Sequence, residues 1–182
     1  MPRWSLPRIA DAGWDLPDHL IINDKWSEHM AGMYYEELEP GIVIEHAIRR
    51  TLTETDNILF SAMTYNCAPL HIDAEYSKNS IYGQRLVNSM FLLALVAGVT
   101  VYETTLGTTL GNLGFQEIAF PKPTFHGDTI RVETEIVAAR LSKSRKDSGI
   151  VTFKHVAKNQ RDEIVCTAVR TGLMMLRPTD KA

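Results

Sequence analysis

The sequence predicts an α+β fold in which an antiparallel sheet wraps around one long central helix. Three observations predict it. The stretch from Leu86 to Tyr102 is almost continuously apolar and reads as a helix buried on all sides. After it, Ile130, Val132, Thr134 and Ile136 alternate with Arg131, Glu133 and Glu135, the period of two of a strand with one buried face. The alternation returns at Val151, Phe153, His155 and Ala157 and again from Val165 to Leu176, with turn residues at Asp147-Ser148-Gly149 and from Asn159 to Glu163. Successive strands with short connections make an antiparallel meander, and its apolar face needs the helix as cover.

In chain order, residues 1–30 carry Trp4, Trp14 and Trp26 among Pro2, Pro7 and Pro17 without periodicity. They read as an extension packed on a single domain over residues 31–178. Pro40-Gly41 followed by Ile42, Val43 and Ile44 predicts a first strand. Thr53-Glu54-Thr55-Asp56 has the capping-box spacing, so a helix should start at Glu54 and run to about Tyr65. On it Leu59, Ala62, Met63 and Asn66 share one face, which predicts that this face turns to the core and that Asn66 points inward. Pro69 disfavours helical geometry at Ala68, so an extended loop is expected through Leu70, His71 and Ile72. Asp73 is placed to cap a short helix over 74–78, and Gly83 marks the turn into the long helix. No internal repeat or low-complexity run is present.

The chain has 182 residues, 45% hydrophobic and 23% charged, enough apolar material for a real core. A formal net charge of −3 leaves no excess of positive charge for a phosphate backbone, which argues against nucleic acid as a partner. The two cysteines, Cys67 and Cys166, are far apart and lie in no CxxC or His/Cys cluster. Neither a zinc site nor a disulfide framework is indicated, and such usage suits the cytoplasm. The N-terminus lacks the unbroken apolar core of a secretory signal. The stretch from Leu86 to Tyr102 is marginal for a membrane span and contains Asn88, Ser89, Gly98 and Thr100.

Chemistry points to the segment from Thr64 to Asp73, where Asn66, His71 and Asp73 surround a proline-containing bend beside a core helix. A histidine there can exchange a proton near neutral pH, and a carboxamide can orient a water through one donor and one acceptor edge. A lone loop histidine is more often a satisfied structural group, and an N-cap accounts for Asp73 without catalysis. Tyr65, Met63, Met90 and Phe91 would line a pocket beside this segment or belong to ordinary core. His46 and His155 read as packing or surface residues.

Four stretches in register resemble the MaoC-like dehydratases: Asn66-x-x-Pro69-x-His71-x-Asp73, Gly83 to Ser89, Phe120-Pro121-x-Pro123-x-Phe125-x-Gly127-Asp128-Thr129, and Ser142 to Arg145. The likeness covers residues 35–177, and the branch it resembles is that of mesaconyl-CoA (2-methylfumaryl-CoA) hydratases, also called methylmalyl-CoA dehydratases. The resemblance implies a hot-dog fold, a homodimer or higher oligomer, and reversible addition of water across the C2=C3 bond of an enoyl-CoA, with no metal or redox cofactor. In the related (R)-specific hydratases an Asp and a His activate the water, and a backbone N–H near the start of the central helix holds the thioester oxygen. His71 matches that His, whereas Asn66 stands at the Asp position, and a carboxamide cannot accept and return a proton.

Three readings follow from that departure. His71 acts as the sole acid and base with Asn66 positioning the water, Asp73 assists by orienting His71, or the chain binds an acyl-CoA without hydrating it. Asn88 and Ser89 fall near the helix start, where a free N–H would stabilise the enolate; Asn88 would equally serve as the helix cap. Lys143, Arg145 and Lys146 would grip the phosphates of CoA, or form a solvated hairpin turn. A hot-dog thioesterase is the main rival, and the long helix offers no clear acidic residue for it.

Overall fold

The computed structural model describes residues 32–178. The extension over 1–30 and its expected packing lie outside the described residues. A 3-10 turn at Tyr35–Glu37 leads to strand β1 (Val43–Glu45) and the short β2 (Arg50–Thr51). Helices α1 (Glu54–Met63), α2 (Pro69–Ile72), α3 (Ala74–Lys78) and the long α4 (Ser89–Thr104) follow. The chain then lays down β3 (Thr109–Ala119), β4 (Thr129–Leu141), β5 (Ser148–Lys158) and β6 (Ile164–Met175). The sheet is antiparallel in the order β1-β4-β5-β6-β3, with β2 also paired to β4.

The alternation read in β4, β5 and β6 is the burial pattern observed, with Ile130, Val132, Thr134 and Ile136 all inside. Gly127, at φ +90, and Asp128 make the turn into β4, where the Asp128 carboxylate accepts the Phe125 N–H at 2.9 Å. Helix α4 packs on β4, β5 and β6. Its Leu92, Val96 and Val99 meet Ile130, Val132, Ala157, Val165 and Cys166, with Leu52 and Val87 completing the cluster. Each such buried side chain contributes on the order of 1.5–3 kcal/mol.

The 16 residues of α4 span roughly 24 Å at 1.5 Å per residue, whereas the 13 of β4 span roughly 40 Å. The helix cannot cover the whole sheet. Met33, Tyr35 and Ile42 cover the remainder, over Leu38, Ile136, Val151, Phe153 and Met174. A Cβ on Gly149 would lie 2.0 Å from the Tyr35 ring, so that approach requires glycine. Between the two apolar clusters lies a polar layer. The Thr134 hydroxyl bridges His46 Nε2 at 2.7 Å and His155 Nδ1 at 2.9 Å, while His46 Nδ1 pairs with Glu103.

Four expectations change. First, the face of α1 that carries Leu59, Ala62 and Met63 is the outer one, with Met63 80% exposed; the buried residues are Asn57 and Ser61. The inner face meets backbone carbonyls and N–H groups that need partners, so polar side chains belong there. Second, Pro69 opens the short helix α2 instead of an extended loop; a proline at the first helical position loses no hydrogen bond, and Ala68 before it is extended at ψ 122. Third, α4 is not buried on all sides of this chain, because Met90, Ala94, Gly98 and Tyr102 form an exposed stripe at intervals of one turn. Fourth, β3 is a further strand on the sheet edge. Helix α1 begins at Glu54 as expected, with both capping-box bonds made at 3.1 and 2.9 Å, but ends at Met63.

Candidate active site

The site is held together by a residue that pattern reading passed over. Asn57, fully buried on α1, donates from Nδ2 to the His71 carbonyl at 3.0 Å and the Leu86 carbonyl at 3.1 Å. Its Oδ1 accepts the Asn88 N–H at 2.7 Å. Asn88 in turn donates from Nδ2 to the Ser61 hydroxyl at 3.3 Å and caps α4 by accepting the Met90 N–H at 3.0 Å. Helix α1, the turn bearing His71 and the start of α4 are thereby one hydrogen-bonded unit.

His71 is half-buried, and its Nδ1 lies 3.1 Å from the Leu86 carbonyl. A carbonyl only accepts, so Nδ1 carries the proton and the neutral ring presents an unprotonated Nε2. Asn66 sits at the other end of the same turn. Its Oδ1 accepts the Ala68 N–H at 3.2 Å, and the His71 N–H donates to the Ala68 carbonyl at 3.0 Å. The oxygen being taken locally, Asn66 offers its amide Nδ2, which makes no hydrogen bond among the described residues.

A cavity of about 280 Å³ adjoins this unit. Leu86, Val87, Leu92 and Phe120 give it apolar walls, and Tyr82, Ser89, Lys122 and Thr124 supply polar groups. The antiparallel bridge between Leu86 and Phe125, with the Val87 N–H on the Thr124 carbonyl at 2.9 Å, fixes the two sides. Leu86 is therefore shared: its carbonyl orients His71 and the residue lines the cavity. The Ser89 N–H, at the first position of α4, has no partner among the described residues. An unpaired N–H at the positive end of a helix is suited to an oxyanion.

The remaining expected residues fall as follows. Asp73 caps α3, accepting the Tyr76 N–H at 2.9 Å, and the hydrogen-bond partner of His71 Nδ1 is the Leu86 carbonyl. Tyr65 is 94% exposed in the left-handed conformation that ends α1. Neither it nor Met63, Met90 or Phe91 lines the cavity, and of the other expected residues Ser89 lines it while Asn66, His71 and Asn88 do not; Phe91 packs on Phe60 instead. Lys143 and Arg145 lie on the loop between β4 and β5, separated from the cavity end by the length of β4, and Arg145 is paired to Asp147 at 2.6 and 2.9 Å. Arg85 steadies the turn from outside, reaching Glu54 at 2.5 Å. Beside it, burial and then the Arg85 charge lower the His126 pKa. Cys67 and Cys166 are both free thiols, and burial pushes Cys166 up to about 11.

An antiparallel sheet packed on one long helix, with the site at the helix N-terminus, is the hot-dog class of α+β fold. A Mycobacterium tuberculosis protein described as a double hot-dog fold superposes with a TM-score of 0.73 at 19% identity, over 83% of this chain and 46% of its own. The chain belongs to the MaoC-like domain family, whose pattern, the MaoC like domain, it matches over residues 37–171. A MaoC-like dehydratase from Rhodospirillum rubrum superposes with a TM-score of 0.71 at 29% identity, covering 81% of this chain and all of that one. The chain is also 30% identical over 149 residues to a mesaconyl-CoA hydratase of Cereibacter sphaeroides, covering 82% of this chain and 43% of the relative. It thus spans less than half the length of that relative. Among the described residues no helix is long and apolar enough to cross a membrane.

Proposed function

We propose that the protein is an acyl-CoA hydratase or dehydratase that adds water reversibly across the C2=C3 bond of an enoyl-CoA. The observation that carries this reading is the His71 Nδ1 to Leu86 carbonyl bond, which leaves Nε2 free as a base and ties His71 to Leu86, a residue that lines the cavity at the start of α4. In the forward direction Nε2 takes a proton from water as the oxygen attacks C3, and the π electrons move toward the thioester. The resulting enolate oxygen is met by the Ser89 N–H, a contact of about 3 kcal/mol in a dry site. The protonated His71 then returns a proton to C2, so one water is added and the base is regenerated. Asn66 Nδ2 donates to the water oxygen and orients it. The chemistry needs no cofactor beyond the CoA of the substrate.

The similarity to a mesaconyl-CoA hydratase supports a branched or dicarboxylic acyl group such as mesaconyl. Two free thiols favour the cytoplasm as its compartment. The open edge of β3 and the exposed stripe Met90, Ala94, Gly98 and Tyr102 favour a second copy as partner. A twofold that pairs β3 with its mate runs the two sheets in opposite directions. The Lys143 and Arg145 loop of the second copy would then lie at the cavity end, where it would reach CoA phosphates.

The test is incubation of the purified protein with mesaconyl-CoA and crotonyl-CoA, following enoyl-thioester absorbance and free thiol together. Loss of absorbance without thiol release supports the hydratase. Thiol release would identify a thioesterase, and binding without either change a non-catalytic acyl-CoA-binding protein.

A further inference from the structure

Asn57 commits its whole carboxamide to the two ends of the site. Its Nδ2 lies 3.0 Å from the His71 carbonyl and 3.1 Å from the Leu86 carbonyl, and its Oδ1 lies 2.7 Å from the Asn88 nitrogen. Carbonyls only accept and an N–H only donates, so the orientation of the amide is forced. The Leu86 carbonyl also takes the His71 Nδ1–H at 3.1 Å, and both of its lone pairs are thereby used. The result is a closed loop of hydrogen bonds, from the His71 carbonyl through Asn57 Nδ2 and the Leu86 carbonyl back to the His71 ring. The Leu86 N–H, on the Leu70 carbonyl at 3.0 Å, stops that residue from turning away. On the other side, Asn88 immediately precedes Ser89, whose N–H at the start of α4 is unpaired among the described residues. One side chain therefore sets base and oxyanion donor relative to each other, while it is itself fully buried and lines no part of the cavity.

We propose that Asn57 is a positioning residue for the hydration: it holds the His71 ring in one orientation and in the Nδ1–H tautomer, and keeps the Ser89 N–H in register with Nε2. This rests on reading His71 as the base and the Ser89 N–H as the oxyanion donor. The partner of one imidazole nitrogen decides the state of the other, and a Leu86 carbonyl free to swing would let the ring carry its proton on Nε2, where it is no longer a base. Proton transfer and enolate stabilisation belong to one transition state, so an error in the spacing of the two groups acts on turnover. Binding of the ester draws instead on cavity walls to which Asn57 does not belong. The effect of Asn57 therefore falls on kcat and not on KM.

The experiment joins steady-state hydration of mesaconyl-CoA with nitrogen NMR of the His71 ring in the full chain, at an alkaline pH where imidazole is neutral. Wild type should show Nδ1 protonated, against the preference of an unpartnered ring for Nε2–H. Asn57→Asp keeps the shape and the acceptor for the Asn88 N–H but offers no N–H to the two carbonyls. Its His71 signal should move toward the Nε2–H form, and kcat should fall about 100-fold, the loss that a misplacement of about 1 Å brings, with KM little changed. Thr53→Ala weakens the same helix at its cap without touching the loop of hydrogen bonds and should leave kcat near the wild-type value. If Asn57→Asp does not fold, Asn57→Ser carries the same expectation, and the wild-type tautomer is read without any variant. Nε2–H in wild type, an unchanged tautomer or kcat in the Asn57 variant, a loss carried by KM, or an equal loss in Thr53→Ala would overturn the proposal, the last by reducing Asn57 to a stability role. Absence of hydration by a wild type whose Nδ1–H form is lost in the Asn57 variant would remove the hydratase reading and leave the hold of Asn57 on His71 standing.

Discussion

Asn57 and Asn88 are joined side chain to backbone at 2.7 Å inside the protein, so a residue in the middle of α1 fixes where α4 begins. Replacing Asn57 with leucine keeps the branched shape and strands the His71 carbonyl and the Asn88 N–H. Each buried group left unpaired costs about 1–3 kcal/mol. Urea denaturation of Asn57→Leu should show a loss on the order of 3 kcal/mol, and a loss below about 1 would refute the tethering role.

The capping box of α1 gives a smaller, local effect. Thr53→Ala removes the acceptor of the Asp56 N–H at 3.1 Å, and caps of this kind contribute about 1 kcal/mol. The Asp56 carboxyl, held below the usual carboxylate range first by its bond to Thr53, should titrate closer to that range in the variant. Carbon-detected NMR titration reads that change directly.

Acid should destabilise the fold through the polar layer. Burial, then the charges of Arg170 and His46, lower the His155 pKa to about 3. Since the unfolded ring titrates near 6.5, the unfolded state binds more protons between those values. The stability of the neutral ring is thus fully present above pH about 6.5 and is lost as pH falls toward 3, at up to about 1.4 kcal/mol per pH unit. His126, lowered by burial and Arg85, adds to the same limb. His155→Leu should flatten the acid side of a stability profile taken from pH 7 to 4; an unchanged slope would show that His155 does not set it.

The stripe on α4 predicts association. Tyr102→Glu places a charge amid Met90, Ala94 and Gly98 without disturbing the buried face. Sedimentation should show wild type as a dimer or larger and the variant shifted toward monomer. A monomeric wild type would contradict the second-copy reading.

What was legible in the sequence follows from which forces leave a periodic trace. Strands β4, β5 and β6 could be read because one face is buried and the other is not, and the Thr53 and Asp73 caps because capping has a fixed spacing. Strand β3 left no such trace: Gly111 and Gly114 interrupt it, register shifts break its pairing with β6, and its outer side chains face no core of this chain. The inner face of α1 misled because Leu59 and Met63 look like core, whereas the backbone ends beneath the helix require Asn57 and Ser61. His71 and Asn66 stand out in the sequence as candidates around Pro69, but the partner of His71 is a carbonyl from a distant residue that no local pattern marks.

The measurement that bears most directly on the account is the rate of mesaconyl-CoA hydration by wild type and His71→Ala, with folding checked by circular dichroism. General acid and base catalysis contributes about 10²–10⁴-fold, so the variant should fold normally and lose at least 100-fold in turnover. A folded His71→Ala protein that retains turnover within a few-fold of wild type would contradict the assignment of His71 as the base.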